Sequence, residues 1–254
     1  MVNADRRTAS AKVQRIAETL KSMYGFHGKG GRRSNPLDTL IGTLLSQNTN
    51  DRNSYRAWVN LRRKFPSWDK VAAAPLTSVS SAIKVGGLRN QKARRIKEIL
   101  ARVRRDWGGY HLNGLHRMAN DEAMNYLLSM KGIGEKTAAC VLVFSLKRDV
   151  FPVDTHIHRV CNRLGLVRTK SAAETFKAMS PLVPEGTAYS FHVNVIRFGR
   201  ELCGARRPVC VRCPLFEDCT YERKYEFHGT AGGKRIGRDV RDFMVIEHLA
   251  KKKS

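Results

Sequence analysis

Between Met130 and Thr155 the chain reads Met-Lys-Gly-Ile-Gly-Glu-Lys-Thr-Ala and then, after an apolar run, Pro-Val-Asp-Thr-His. The glycines separate two segments that both read as helix. Asp121 to Met130 carries Met124, Leu127 and Leu128 at i, i+3, i+4, with Asn120 or Asp121 able to cap its start; Thr137 to Leu146 is small and apolar through Ala138, Ala139, Val141, Leu142 and Phe144. Two closely packed helices joined by a glycine hairpin are therefore fixed before anything else is known. Gly132 and Gly134 free the backbone from its steric limits and leave N–H groups uncovered at a helix start, which is an anion site. A tight turn with no ligand explains the glycines as well. Lys136 separates the two readings, because it puts a cation where the helix dipole disfavours one.

A lysine is a nucleophile only when neutral, so its reference pKa of roughly 10.4 has to be lowered by burial, neighbouring positive charge or a helix N-terminus. The hairpin supplies the last two. Asp154 follows eighteen residues after Lys136 and is able to take the proton as the amine attacks, or to stabilise positive charge developing on a sugar. The plain alternative for Asp154 is an N-cap of a helix starting at Thr155. The two roles are compatible, since a capping oxygen is held rigidly.

Charge names the class of partner. Lys and Arg outnumber Asp and Glu by 47 to 22, a net +25, which points to a polyanion. In so basic a chain the anion at the hairpin is expected to be a DNA phosphate. A membrane surface competes for such charge, but there is no long apolar run or signal peptide, so no membrane association is expected. The reading is a soluble, intracellular monomer, cytoplasmic and nucleoid-associated if the source is a bacterium or archaeon. With 254 residues, 42% of them apolar, the chain can bury the core of one domain or of two packed ones.

Of six cysteines, Cys140 and Cys161 stand alone in apolar helical contexts, while Cys203, Cys210, Cys213 and Cys219 form Cys-x6-Cys-x2-Cys-x5-Cys. Four thiolates this close repel one another without a metal centre. Spacing alone leaves zinc open. Arg206 and Arg207 lie within the loop, where a rigid tether would hold two guanidinium groups against a phosphate backbone.

Elsewhere the chain reads as all-α. Val13, Ile16, Leu20 and Met23 or Tyr24 mark an amphipathic N-terminal helix that needs a distant partner; Gly28 to Ser34 reads as a basic linker. Asn35-Pro36 opens a helix through Leu45, and a polar patch, Ser46 to Asn50, precedes another over Asp51 to Lys64. Trp58, Leu61, Phe65 and Trp68 read as core, Ala74-Pro75 to Ile83 as a short helix, and Lys92 to Trp107 as a helix with Arg94, Arg95, Lys97, Arg102, Arg104 and Arg105 on a solvated face. Helices are also expected over Ser171 to Met179, Ala188 to Leu202 and Asp239 to Leu249, with a linker at Gly229 to Gly237 and a basic end at Lys251 to Lys253.

The hairpin followed by Val-Asp-Thr-His-Ile-His-Arg-Val-Cys-Asn-Arg resembles the helix-hairpin-helix, Gly/Pro…Asp signature of the endonuclease III family of DNA glycosylases. The resemblance implies two helical domains: a six-helix barrel at 35–148 carrying the hairpin, and an iron–sulfur domain made of 1–34 plus 149–228, followed by a basic extension at 229–254. It implies that Lys136 is the Schiff-base lysine, Asp154 the obligatory aspartate, and Cys203, Cys210, Cys213 and Cys219 the ligands of a [4Fe-4S] cluster. Gln47 and Asn48 compete to fill the gap left by a flipped nucleotide, because the glutamine usual there stands one position early. Leu88, in Gly-Gly-Leu-Arg-Asn, matches the wedge that enters the duplex, with packing behind its own turn as the alternative. Gly132, Gly134 and Thr137 are then candidate DNA contacts. His156 is a candidate to orient Asp154, a solvent-facing position being the alternative; the His-x-His pair with His158 is weak evidence for metal. The implied partner is double-stranded DNA containing damaged bases or abasic sites, lying in a basic groove between the domains. The implied activity is a bifunctional glycosylase and lyase acting on oxidised pyrimidines. A mismatch or uracil glycosylase with weak lyase activity, and a non-catalytic DNA-binding module, are the alternatives.

Overall fold

Short polar side chains set where five of the helices begin, and the apolar series between them sets how they pack. The computed structural model describes residues 2–28 and 34–229. Among these residues there are eleven α-helices joined by short turns and no strand, so the chain is all-α as expected. The described residues fall into two compact units, 34–148 and 2–28 with 149–229.

The first unit is organised around α2 (Pro36–Ser46). The Asn35 carboxamide oxygen accepts from the N–H groups of Leu37 at 2.9 Å and Asp38 at 3.4 Å, and Pro36 occupies the first turn. Leu37, Leu40, Ile41, Leu44 and Leu45 are each no more than 1% exposed, because α3 (Asp51–Lys64), α6 (Arg89–Trp107) and α8 (Glu135–Cys140) surround the helix. Each such side chain contributes about 1.5–3 kcal/mol through burial. Trp58, Leu61, Phe65 and Trp68 are all buried, the two indoles 5.9 Å apart, and the Trp68 N–H donates to Asp38 at 2.8 Å.

Four details depart from expectation. Trp68–Ala73 forms a six-residue helix, α4, capped by Ser67, that is too short for periodicity to register; α5 (Leu76–Ala82) follows. Helix α6 starts at Arg89, three residues before Lys92, directly after Leu88. Helix α7 (Asn120–Leu128) is capped by neither Asn120 nor Asp121: Ala119 holds the cap position, and Glu122 reaches back to accept its N–H at 3.3 Å. The helix expected to run to Leu146 gives way after Cys140 to a π turn over Val141–Ser145, with the Leu146 N–H bonded to the Val141 carbonyl at 3.3 Å. Beside that turn the buried hydroxyls of Ser34, Thr39 and Ser145 bond one another at 2.7–3.1 Å, so no polar atom of the trio is left dry.

In the second unit α1 (Val2–Tyr24) packs on α11 (Ala188–Glu201) through Val13, Ile16 and Leu20, all fully buried. Tyr24 takes the next apolar position, under the Arg197 guanidinium at 4.6 Å, while Met23 stays 39% exposed. Helices α9 (Thr155–Arg163) and α10 (Ala172–Met179) are capped by Asp154 and Ser171. Cys140 and Cys161 are buried, as lone apolar thiols should be. Lys29–Arg33 of the expected linker and the extension beyond Gly229, with its expected linker, helix and basic end, lie outside the described residues.

Candidate functional site

The hairpin joins α7 to α8 through Ser129–Gly134, and its two glycines differ in what they do. Gly132 has φ +86°, a conformation that L side chains rarely adopt, and an added Cβ would come within 3.0 Å of the Arg95 side chain. Gly134 caps α8 at φ −101°, ψ 175°, which any residue adopts, and nothing lies within 4 Å of its Cβ position. The expectation that both glycines relieve backbone strain therefore holds for Gly132 only. Gly134 leaves its face of the hairpin open. Lys136 is the second residue of α8 and half-buried. Thr137 is 3% exposed, its N–H bonds the Gly134 carbonyl at 3.0 Å, and its hydroxyl accepts from Gln47.

That last bond separates the two candidates in the polar patch. The Gln47 amide donates to the Gly132 carbonyl at 3.4 Å and to Thr137 Oγ1 at 3.3 Å, so it braces the hairpin. Asn48 is exposed and left-handed at φ 52°, a state asparagine tolerates.

Leu88 is also left-handed, at φ 45°, ψ 34°, and 49% exposed. An exposed leucine in a strained backbone is the opposite of one packed behind its turn.

Asp154 belongs to the second unit. Its carboxylate accepts from the Ile157 N–H at 2.8 Å, so the capping reading is correct. Neighbouring Arg159 donates to the carbonyls of Gly199 at 2.7 Å and Cys203 at 3.0 Å and to His156 Nδ1 at 3.2 Å. A guanidinium only donates, so Nδ1 of His156 is the acceptor and its proton sits on Nε2. Burial lowers the Arg159 pKa, while Cys203 and Asp154 act to raise it. Sequence reading passed over Arg159, which links the Asp154 helix to the start of the cysteine loop. His158 is bonded through Nδ1 to Thr175 at 2.7 Å and to Asn162 at 3.2 Å, and among the described residues no group of three His, Cys, Asp or Glu is placed to hold a metal ion.

The four loop cysteines all line one hollow of ≈ 360 Å³, counting its open mouth, together with Arg163, Phe216, Tyr221 and Lys224. Arg163 approaches Cys203 Sγ at 3.6 Å, donates to the Gly204 carbonyl at 2.8 Å, and stacks on Tyr221 at 4.1 Å. Lys224 donates to the carbonyls of Phe216 at 2.9 Å and Cys219 at 2.8 Å. Burial pushes the Cys213 thiol up to about 12, with the other three sulfurs adding to the effect. The four cysteines therefore line a common space with Arg163 and Lys224. Arg206 and Arg207 on the same loop are exposed.

Two lysines that read as unremarkable members of a basic helix are structural. Lys92 is buried and bonded to two carbonyls, and Lys97 donates to the carbonyls of Ala72 and Ala74. A lysine in a basic run carries no sequence signal that distinguishes a buried ammonium from a solvated one.

Residues 41–185 match the family model described as HhH-GPD superfamily base excision DNA repair protein. The chain is 33% identical over 209 residues to Endonuclease III of Thermotoga maritima, covering 82% of this chain and 94% of that protein. It is 32% identical over 197 residues to Endonuclease III of Sulfolobus acidocaldarius, covering 75% and 84%. Among solved structures, a non-covalent endonuclease III–DNA complex superposes with a TM-score of 0.73 at 27% identity, covering 85% of this chain and 98% of the other. A trapped endonuclease III–DNA covalent intermediate gives the same values. No helix among the described residues is long and apolar enough to cross a membrane.

Proposed function

The chain belongs to the endonuclease III family of HhH-GPD base excision DNA repair proteins, and from that premise we propose that it is a bifunctional DNA N-glycosylase and abasic-site lyase in which Lys136 and Asp154 act on one extruded nucleotide. The observation that carries the reading is Lys136 in the first turn of α8, beside a hairpin whose Gly134 leaves the backbone open on one side. In that position Lys136 stands in the first turn of α8, next to the backbone that the hairpin leaves uncovered. Attack of the amine on C1′ forms a C–N bond as the base leaves with the glycosidic electrons. Asp154 takes the proton released by the amine and stabilises the positive charge on the sugar. Cleavage of the C1′–O4′ bond, with Asp154 returning its proton to O4′, then opens the sugar ring and gives the C1′ iminium. Removal of a C2′ proton sends its electrons to break C3′–O, cutting the strand 3′ to the lesion.

The DNA-facing parts follow from exposure. Leu88 enters the duplex, and Asn48, free of the hairpin, fills the vacated space where Gln47 cannot. Gly134 and the exposed Arg206 and Arg207 hold phosphates. The targets are duplex DNA with oxidised pyrimidines or abasic sites, and the protein acts as a monomer.

Cys203, Cys210, Cys213 and Cys219 would hold a [4Fe-4S] cluster. What supports it is that all four cysteines line one hollow, in the spacing that resembles the family's cluster loop. Bound there, the group supplies a rigid tether for the loop. Equal iron and acid-labile sulfide in the purified protein would support this; one zinc per chain would overturn it.

Borohydride trapping on an abasic-site duplex tests the chemistry. A covalent adduct is expected, lost in Lys136→Ala. Base release without an adduct would instead indicate a monofunctional mismatch or uracil glycosylase, and binding with neither would indicate a docking module.

A further inference from the structure

Lys92 projects from α6 into the core with 4% of its surface exposed, and its Nζ donates to the Leu45 carbonyl at 2.7 Å and the Gly86 carbonyl at 2.8 Å. Leu45 lies in the last turn of α2, directly before the polar patch that holds Gln47 and Asn48. Gly86 closes a 3-10 turn over Lys84–Gly86, two residues before Leu88. One cation thus grips the roots of two exposed loops. The roots themselves are close: a Cβ on Gly86 would stand 3.0 Å from that of Ala57 and 4.0 Å from the Leu45 oxygen. Both carbonyls sit at the ends of helical segments, where the segment offers no N–H to meet them. A buried ammonium is a costly way to fill a core that accepts Ala93, Ile96 and Leu100 from the same helix. What it provides that an apolar side chain does not is a fixed distance between two backbones.

We propose that Lys92 is a positioning residue that joins the Leu88 loop to the Gln47–Asn50 loop, so that displacement of a nucleotide by one and filling of the space by the other occur as a single step. The inference rests on the proposed reading of Leu88 and Asn48 as the residues that probe the duplex. Lys92 itself touches no DNA, since it is sealed beneath both loops. Each loop carries a left-handed residue, Asn48 and Leu88, three and two positions beyond the carbonyl that Lys92 holds. Anchoring the root is therefore what sets where each tip stands.

The test measures nucleotide extrusion with 2-aminopurine in a duplex, using the full chain. Leu88→Ala, Asn48→Ala and the double variant are compared in the presence of Lys92 and in Lys92→Met. With Lys92 present, each single variant is expected to lower extrusion about tenfold and the double no more than about threefold further, because the step is shared. In Lys92→Met the two losses should multiply, DNA affinity should stay within about threefold of wild type, and Lys92→Arg should restore the shared behaviour. An unchanged coupling between Leu88 and Asn48 in Lys92→Met overturns the proposal while leaving the wedge reading intact. Single variants that extrude as well as wild type remove the wedge reading, and the proposal with it. If Lys92→Met does not fold, Lys92→Gln, which keeps a donor for one carbonyl, takes its place under the same criteria.

Discussion

Leu88→Asn separates a residue kept for function from one kept for stability. About half of the Leu88 side chain is buried, so of the roughly 1.5–3 kcal/mol that full burial of a leucine contributes, about 1 kcal/mol is realised. Against this stands the backbone at φ 45°, ψ 34°, which costs an L residue about 1–2 kcal/mol and which asparagine tolerates through local hydrogen bonding. The two effects nearly cancel, and urea denaturation is expected to place Leu88→Asn within about 1 kcal/mol of wild type. Leu40→Ala, at a fully buried position of α2, should cost about 2–5 kcal/mol in the same experiment. Single-turnover base release by Leu88→Asn should nevertheless fall about tenfold or more, because a polar side chain cannot hold a gap in stacked bases. A loss of more than about 2 kcal/mol would mean that Leu88 is a core residue after all. Unchanged turnover in a stable variant would refute its role as a wedge.

Three further outcomes follow from the geometry. Gly132→Ala should destabilise the fold by about 1–2 kcal/mol because its φ of +86° becomes strained, whereas Gly134→Ala should melt like wild type and lose DNA affinity if its open face receives a phosphate; thermal melts and a binding titration decide both. Asp154→Asn keeps an oxygen for the Ile157 N–H, so its stability should match wild type while base release collapses; Asp154→Ala should lose about 1 kcal/mol of capping as well. Burial lowers Lys92 to about 8, whereas an unfolded lysine keeps its proton to roughly 10.4. Between those values the unfolded chain binds more protons, so native stability rises with pH. The stability difference between wild type and Lys92→Met should therefore grow by about 3 kcal/mol from pH 8 to 10.5, and a flat difference in denaturation midpoints would refute the shift.

How far the sequence spoke depended on whether its signal was local. Asn35 and the polar patch ending at Asn50 announced their helices because a capping oxygen acts on N–H groups two or three residues away. The limits of α3 could be read because polar runs bracket its apolar series. The core tryptophans were legible for the same reason. What stayed hidden depends on distant partners: the carbonyls that draw Lys92 inward, the brace from Gln47 to the hairpin, and the bond that ties Thr137 to Gln47. The apolar run at Val141–Ser145 gave no sign of its wider turn, since α and π hydrogen bonding use the same kinds of residue. Among the candidate site residues, type and spacing singled out Lys136, Asp154 and the cysteines; which of Gln47 and Asn48 braces the hairpin could come only from three dimensions.

The π turn has a consequence for how related chains can differ in length. An α-helix advances about 100° per residue, so a chain with one residue fewer between Cys140 and Leu146 could close this stretch as ordinary α-helix and leave it in a direction rotated by roughly that amount. The trio of buried hydroxyls on Ser34, Thr39 and Ser145 fastens the wide turn to the start of α2 and opposes such a closure. Gaps in most loops shorten a tether; a gap at this place would turn the apolar residues of Val141–Ser145 onto new faces of their own helix.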